Sequence, residues 1–160
     1  MRAILLGLGV LAVTACSDAE RAAETAEPAV SPSEISLAAN DQTGRWYTEA
    51  QVETGRELYG RFCAACHGAE AEATADWKTP DRFGNYPPPP LNGSAHAWHH
   101  PLVVLDQVIR DGTGDLGGNM PPWGHALNAS QRLEVIAGFQ AYWSDETYDI
   151  WLQREQASRQ

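Results

Sequence analysis

The chain reads as an all-α protein, and three observations predict it. Apolar residues recur at helical spacing in several separate segments, and no stretch shows the strict alternation of a strand. Helix-start signals stand before three of those segments: Thr48 with Gln51, Asn128 with Gln131, and Ser144. Between the segments lie Gly- and Pro-rich loops too irregular for either element.

The elements follow in order. Thr48-Glu49-Ala50-Gln51 is a capping box, so a helix runs from Glu49 into Phe62. Val52, Gly55, Leu58, Tyr59 and Phe62 repeat at its helical period, and Gly55 in its interior suggests close approach of a second helix. Gly68 to Pro90 is a polar loop that ends in the prolines 87–90. A helix over Pro101 to Asp111 has Leu102, Leu105, Val108 and Ile109 as its buried stripe, with Pro101 in the first turn and Gly112 as its stop. Asn128 opens a helix from Ala129 to about Trp143, carrying Leu133, Ile136, Phe139, Tyr142 and Trp143. A last helix, capped by Ser144, covers Asp145 to Gln153, and Tyr148, Trp151 and Leu152 pack it back onto the domain.

The first helix runs into Cys63-Ala64-Ala65-Cys66-His67, a C-x-x-C-H run. This is the attachment signature of c-type haem: two cysteines three apart form thioethers to the vinyl groups, and the next residue offers an imidazole to the iron. C-x-x-C also marks thioredoxin-like and zinc sites. The first would need a βαβ pattern, and the second a pair of further ligands at regular spacing. The other histidines, His96, His99, His100 and His125, leave a Cys2His2 site open by count, but no pair of them stands at finger spacing from the cysteines.

The chain is 160 residues long with a formal charge of -10 and one lysine, Lys78. That excludes nucleic acid and anionic lipid as natural partners. Six tryptophans fit a small domain wrapped around a large flat cofactor.

Residues 1–15 read as an export signal, with Arg2 before an apolar core of 13 residues, Ala3 to Ala15. That core is short for a bilayer span. Val13-Thr14-Ala15-Cys16 resembles a bacterial lipobox, which would make Cys16 the lipidated N-terminus of the mature chain. Ordinary cleavage after Ala15 and an uncleaved anchor are the alternatives. Residues 16–44 are rich in Ala, Glu, Ser and Pro and read as a disordered tether, leaving 45–160 as the folded domain. The expected location is the periplasmic side of a bacterial membrane, lipid-anchored at Cys16, or soluble in the periplasm without the lipid. Cys16 would also explain the odd cysteine count.

Gly117-Gly118-Asn119-Met120-Pro121-Pro122-Trp123 lies 53 residues past His67 at its methionine, and with Met1 removed Met120 is the one methionine left. A lone methionine is normally core filler. One held between Gly-Asn and Pro-Pro in a loop suits a soft axial ligand. A histidine of the 96–100 cluster, or an open site, is the alternative.

In these residues the chain resembles a class I c-type cytochrome, from about Arg45 to Tyr142. The carriers are C-x-x-C-H at 63–67, Gly55 and Tyr59 before it, Pro-Pro-Leu-x-Gly at 89–93, and Met-Pro-Pro-Trp at 120–123. The resemblance implies a cytochrome c fold: N- and C-terminal helices crossing, haem in a loop-lined crevice, and here an extra C-terminal helix. It implies one covalent haem c per chain, attached at Cys63 and Cys66 and ligated by His67 and Met120, with Leu91 and Pro121 against it. Trp77, Arg82 and Tyr86 are candidates for its propionates. The family often has an aromatic residue where this chain has Gly138, which leaves open how the helix crossing is filled. The implied function is a membrane-tethered one-electron carrier serving redox proteins of a respiratory or dehydrogenase chain. The alternatives are a peroxidase-like enzyme with a displaceable Met120, an electron-transfer subunit of a larger oxidoreductase, and a copper- or haem-delivery protein using His96, His99 and His100.

Overall fold

The computed structural model describes residues 30–160. The export signal and Cys16 lie outside them. The described residues form five helices and no strand: α1 (Glu49–Phe62), α2 (Ala64–His67), α3 (Leu102–Asp111), α4 (Ala129–Gln140) and α5 (Asp145–Ser158). Short 3-10 turns stand at Pro32–Glu34, Ala97–His99 and Gly114–Leu116. No described helix is long and apolar enough to cross a membrane.

Both capping boxes form. The Thr48 hydroxyl accepts the Gln51 N–H while the Gln51 side chain accepts the Thr48 N–H, and Asn128 and Gln131 make the same exchange. Ser144 caps α5 through the Thr147 N–H. Gly112 ends α3 at φ 74°.

The main packing is α1 on α4, backbone to backbone. Gly55 faces the Glu134 carbonyl and Gly138, and a Cβ added to Gly138 would come within 2.8 Å of the Gly55 backbone. The glycine at 138, where an aromatic residue is expected, is therefore what allows the contact: two glycines meet and nothing larger fits. Tyr142 sits beside it under the Arg56 guanidinium, 5.0 Å from the ring centre. Behind α4 the core is aromatic, with Trp46, Tyr47, Phe139, Trp143, Tyr148 and Trp151 all buried. Asp106 is buried on α3, and its carboxylate accepts the Arg132 Nε–H at 2.7 Å.

Three boundaries differ from the sequence reading, each for a long-range reason. α4 stops at Gln140, before Trp143, because Arg45 reaches its end and donates to the Gln140 and Trp143 carbonyls, both at 2.8 Å. α5 runs on to Ser158, beyond Gln153, because Glu155 is drawn inside. It is 2 % exposed, and its carboxylate accepts the Leu102 N–H at the start of α3, at 2.6 Å. The folded part also begins before residue 45. Ile35 and Leu37 pack on the core, and Arg159 donates to the carbonyls of Ile35 and Pro32. The tether expected over 16–44 is thus corrected for its last stretch, where two apolar side chains in an acidic segment suffice to seat the chain.

Candidate functional site

The break between α1 and α2 falls at Cys63, with φ -119° and ψ -36°. The next turn is helical again: the Cys66 and His67 N–H groups both donate to the Cys63 carbonyl. Positions i, i+3 and i+4 share a face of such a turn, so Cys63, Cys66 and His67 project together. All three line one cavity of about 690 Å³, within the size range of a cofactor site.

His67 is fixed from behind. Its Nδ1–H donates to the Pro89 carbonyl at 2.9 Å, which leaves Nε2 as the nitrogen open to a metal. Burial pulls its pKa below the usual histidine value, against the opposing pull of that carbonyl, and so favours the neutral ring that binds metal. The Pro89 carbonyl is itself placed by the backbone. The N–H groups of Leu91 and Asn92 donate to the Ala71 carbonyl, and the Ala73 N–H donates to the His67 carbonyl at 2.7 Å. Ala71 and Ala73 adopt positive φ, 59° and 53°, a conformation that alanine rarely takes. The chain accepts that strain to fold back over the imidazole. The Tyr59 hydroxyl secures the turn from α1 by donating to the Gly68 carbonyl at 3.0 Å.

Met120 lines the same cavity from the loop after α3. Thr113 clamps it twice: the Thr113 N–H donates to the Met120 carbonyl, and Thr113 Oγ1 accepts the Met120 N–H, both at 3.0 Å. The loop then returns to the end of α3, where the Trp123 and Gly124 N–H groups donate to the Ile109 and Arg110 carbonyls. These bonds satisfy carbonyls that a helix end otherwise leaves open. Sequence reading singled out Met120 but not Ala71 or the Pro89 carbonyl, because backbone partners leave no side-chain signature, nor Thr113, whose hydroxyl acts from seven residues away.

Pro121 lines the cavity as expected, with Phe62, Trp123 and Leu116 adding apolar wall. Leu91 does not line it. Its carbonyl accepts the Trp143 indole N–H at 2.7 Å and its side chain packs on the core, so it braces the loop that carries Pro89. Trp77 and Tyr86 are in the wall; Arg82 is not, its guanidinium lying 4.6 Å over Phe83. Of the histidine cluster only His96 reaches the cavity, stacked on Trp77. His99 stacks on Trp98, and the His100 carbonyl accepts the Trp151 N–H. Among the described residues no group of three or more His, Cys, Asp or Glu side chains is gathered for a metal ion.

The arrangement fits haem c: two free thiols, an oriented neutral imidazole and a thioether around one apolar-walled space. The thiols differ. Cys63 is buried, its pKa pushed up to about 11 by that burial and by neighbouring Cys66, whereas Cys66 is exposed. In protein made without the cofactor, iodoacetamide at mildly alkaline pH is expected to alkylate Cys66 at least about tenfold faster than Cys63, since the thiolate is the nucleophile. Peptide mass mapping reads the order, and Cys63 reacting first would contradict the geometry.

Residues 50–137, more than half the chain, match the family model described as cytochrome c oxidase, cbb3-type, subunit III. No curated protein matches the chain, and no solved structure does.

Proposed function

The chain belongs to the cbb3-type cytochrome c oxidase subunit III family and is a c-type cytochrome, and from that premise we propose that it is a mono-haem, membrane-tethered, periplasmic one-electron carrier. The observation that carries this reading is the convergence of Cys63, Cys66, His67 and Met120 on one cavity. Bound there, haem c supplies an iron centre that gains or loses a single electron. The protein's part is to hold it still. Cys63 and Cys66 would anchor it, and Pro89 fixes the His67 ring. Thr113 pins the backbone of Met120, and Phe62, Trp123 and the prolines keep water out. With His67 and Met120 both holding the iron, substrate would find no open place on it, which favours a carrier over a peroxidase-like enzyme.

Cys16 would supply the tether through a lipid, and export would place the domain where thioether attachment occurs. The printed name of the family, a subunit of an oxidase, favours a second form of the same role: an electron-transfer subunit held in a larger complex.

Optical spectra of the purified protein test the ligation. The oxidised protein is expected to be low-spin, with the weak red band of methionine-to-iron ligation. Met120→Ala should abolish that band and His100→Ala should keep it. High-spin bands in the oxidised parent protein would overturn the carrier reading.

A further inference from the structure

We propose that Trp143 is a positioning residue for His67, and that its indole N–H thereby sets the reduction potential of the bound haem. The inference rests on the carrier reading, in which His67 holds the iron, and names what tunes that site.

Trp143 stands in the turn after α4 and is 2 % exposed. Its place is fixed from several directions. Its N–H donates to the Gln140 carbonyl at 3.0 Å, and its own carbonyl accepts an Arg45 N–H at 2.8 Å. Its ring packs on Phe139 and Trp151, at 6.1 and 6.2 Å between ring centres. The stretch from Leu91 to Gly93 lies against it, so close that a Cβ added to Gly93 would stand 3.1 Å from the indole. A buried indole N–H needs an acceptor, and this one takes the Leu91 carbonyl at 2.7 Å.

From Leu91 the constraint reaches His67 along a stiff path. The Leu91 carbonyl is held by Trp143, while the N–H groups of Leu91 and Asn92 are held by the Ala71 carbonyl at 2.8 and 3.1 Å. Two residues upstream is the Pro89 carbonyl that accepts the His67 Nδ1–H. Residues 87–90 are all proline, and each ring locks its own φ. The segment cannot flex between its ends, so pinning Leu91 also pins the Pro89 carbonyl.

The bond behind His67 governs how strongly the imidazole donates to iron. A short, aligned bond makes the ring more basic and favours the oxidised form. A slack one favours the reduced form. Hydrogen bonding behind an axial ligand is one of the levers by which a protein sets the potential of its haem. The proton stays on Nδ1 in both states, so only one electron moves.

Trp151 is a matched comparison. It is also buried, it touches Trp143, and its indole N–H donates to a loop carbonyl, that of His100, at 3.0 Å. The two tryptophans brace two loops, and only the Trp143 loop carries the acceptor for His67.

The test is a spectroelectrochemical titration of the holoprotein. Trp143→Phe should raise the potential by about threefold in the one-electron equilibrium, ~30 mV at ~59 mV per tenfold. Replacing Trp143 by 3-benzothienylalanine, which keeps the indole shape but has sulfur in place of the N–H, should give the same rise without a packing defect. Trp151→Phe should melt at lower temperature and keep the parent potential. The direction of the shift is diagnostic. Loosened packing alone would admit water, favour the more charged oxidised form and lower the potential. In the reduced protein, NMR should show the His67 Nδ1 proton exchanging with solvent at least about tenfold faster with the sulfur analogue than in the parent. An unchanged or lowered potential with the analogue, a parent exchange rate at His67, or an equal rise in Trp151→Phe would each overturn the positioning role. A parent protein whose iron cannot be cycled by one electron would instead overturn the carrier reading beneath it.

Discussion

Gly55→Ala is expected to melt roughly 10 °C below the parent holoprotein, and Gly60→Ala, five residues on in the same helix, slightly above it. A Cβ at Gly55 would stand 1.8 Å from the Glu134 carbonyl oxygen and 2.6 Å from its carbon. These are backbone atoms of α4, so no side chain can swing aside. α1 and α4 must separate, and every contact they share loosens. Overpacking of this kind costs about 3 kcal/mol, more than the ~1 kcal/mol by which alanine outranks glycine in a helix. At Gly60 nothing lies within 4 Å, so only the helix-propensity gain remains. The two substitutions are chemically identical and lie in one helix, so their opposite signs isolate the packing effect. Thermal unfolding followed by circular dichroism reads both. A Gly55→Ala protein as stable as its parent would show that α1 and α4 do not meet through Gly55.

The second large effect is expected at Gly112, which does not itself line the cavity. Its φ of 74° with ψ near -167° lies in a region open almost only to glycine. A Cβ there would sit 2.5 Å from the Met120 carbonyl oxygen and 2.8 Å from the Pro122 nitrogen. Gly112→Ala therefore pushes directly on the backbone that presents Met120, besides straining its own by about 1–3 kcal/mol. On the proposed ligation by Met120, the oxidised variant is expected to lose most of the red methionine band while keeping its haem, and to unfold at lower temperature. Gly114→Ala, with nothing within 4 Å, is expected to be silent in both measurements. An intact red band in Gly112→Ala would separate the Met120 loop from the end of α3.

What could be read from the sequence follows the range of the interactions. Thr48 with Gln51 and Asn128 with Gln131 are three residues apart, and both helix starts were readable because both partners sit in one turn. The end of α4 depends on Arg45, 95 residues from Gln140, and no local pattern announces that. Glu155 reads as a surface residue of a polar helix end, yet it is buried because Leu102, 53 residues away, needs an acceptor. The site divides in the same way. Cys63, Cys66 and His67 were legible as a motif, and Met120 by its setting between Gly-Asn and Pro-Pro. Pro-Pro-Leu-x-Gly says which residues share a stretch, and the bond from the Trp143 indole to the Leu91 carbonyl, 52 residues away, could not be read from it. The Pro89 carbonyl acts without its side-chain identity, and the Thr113 hydroxyl serves Met120 from seven residues away, so no local pattern pointed to either.

Arg159 holds the carbonyls of Pro32 and Ile35 across 127 and 124 residues, and its Nε–H donates to Glu155 at 2.7 Å. The two ends of the described residues are thereby brought to one corner, and none of these residues lines the cofactor cavity. Domains whose ends lie together accept insertion into longer chains with little disturbance. This one is built as a bead: polypeptide joined before Pro32 or after Arg159 leaves from a single point. Gene fusion at either end would attach a neighbouring domain at that same corner, beside residues that take no part in holding the cofactor.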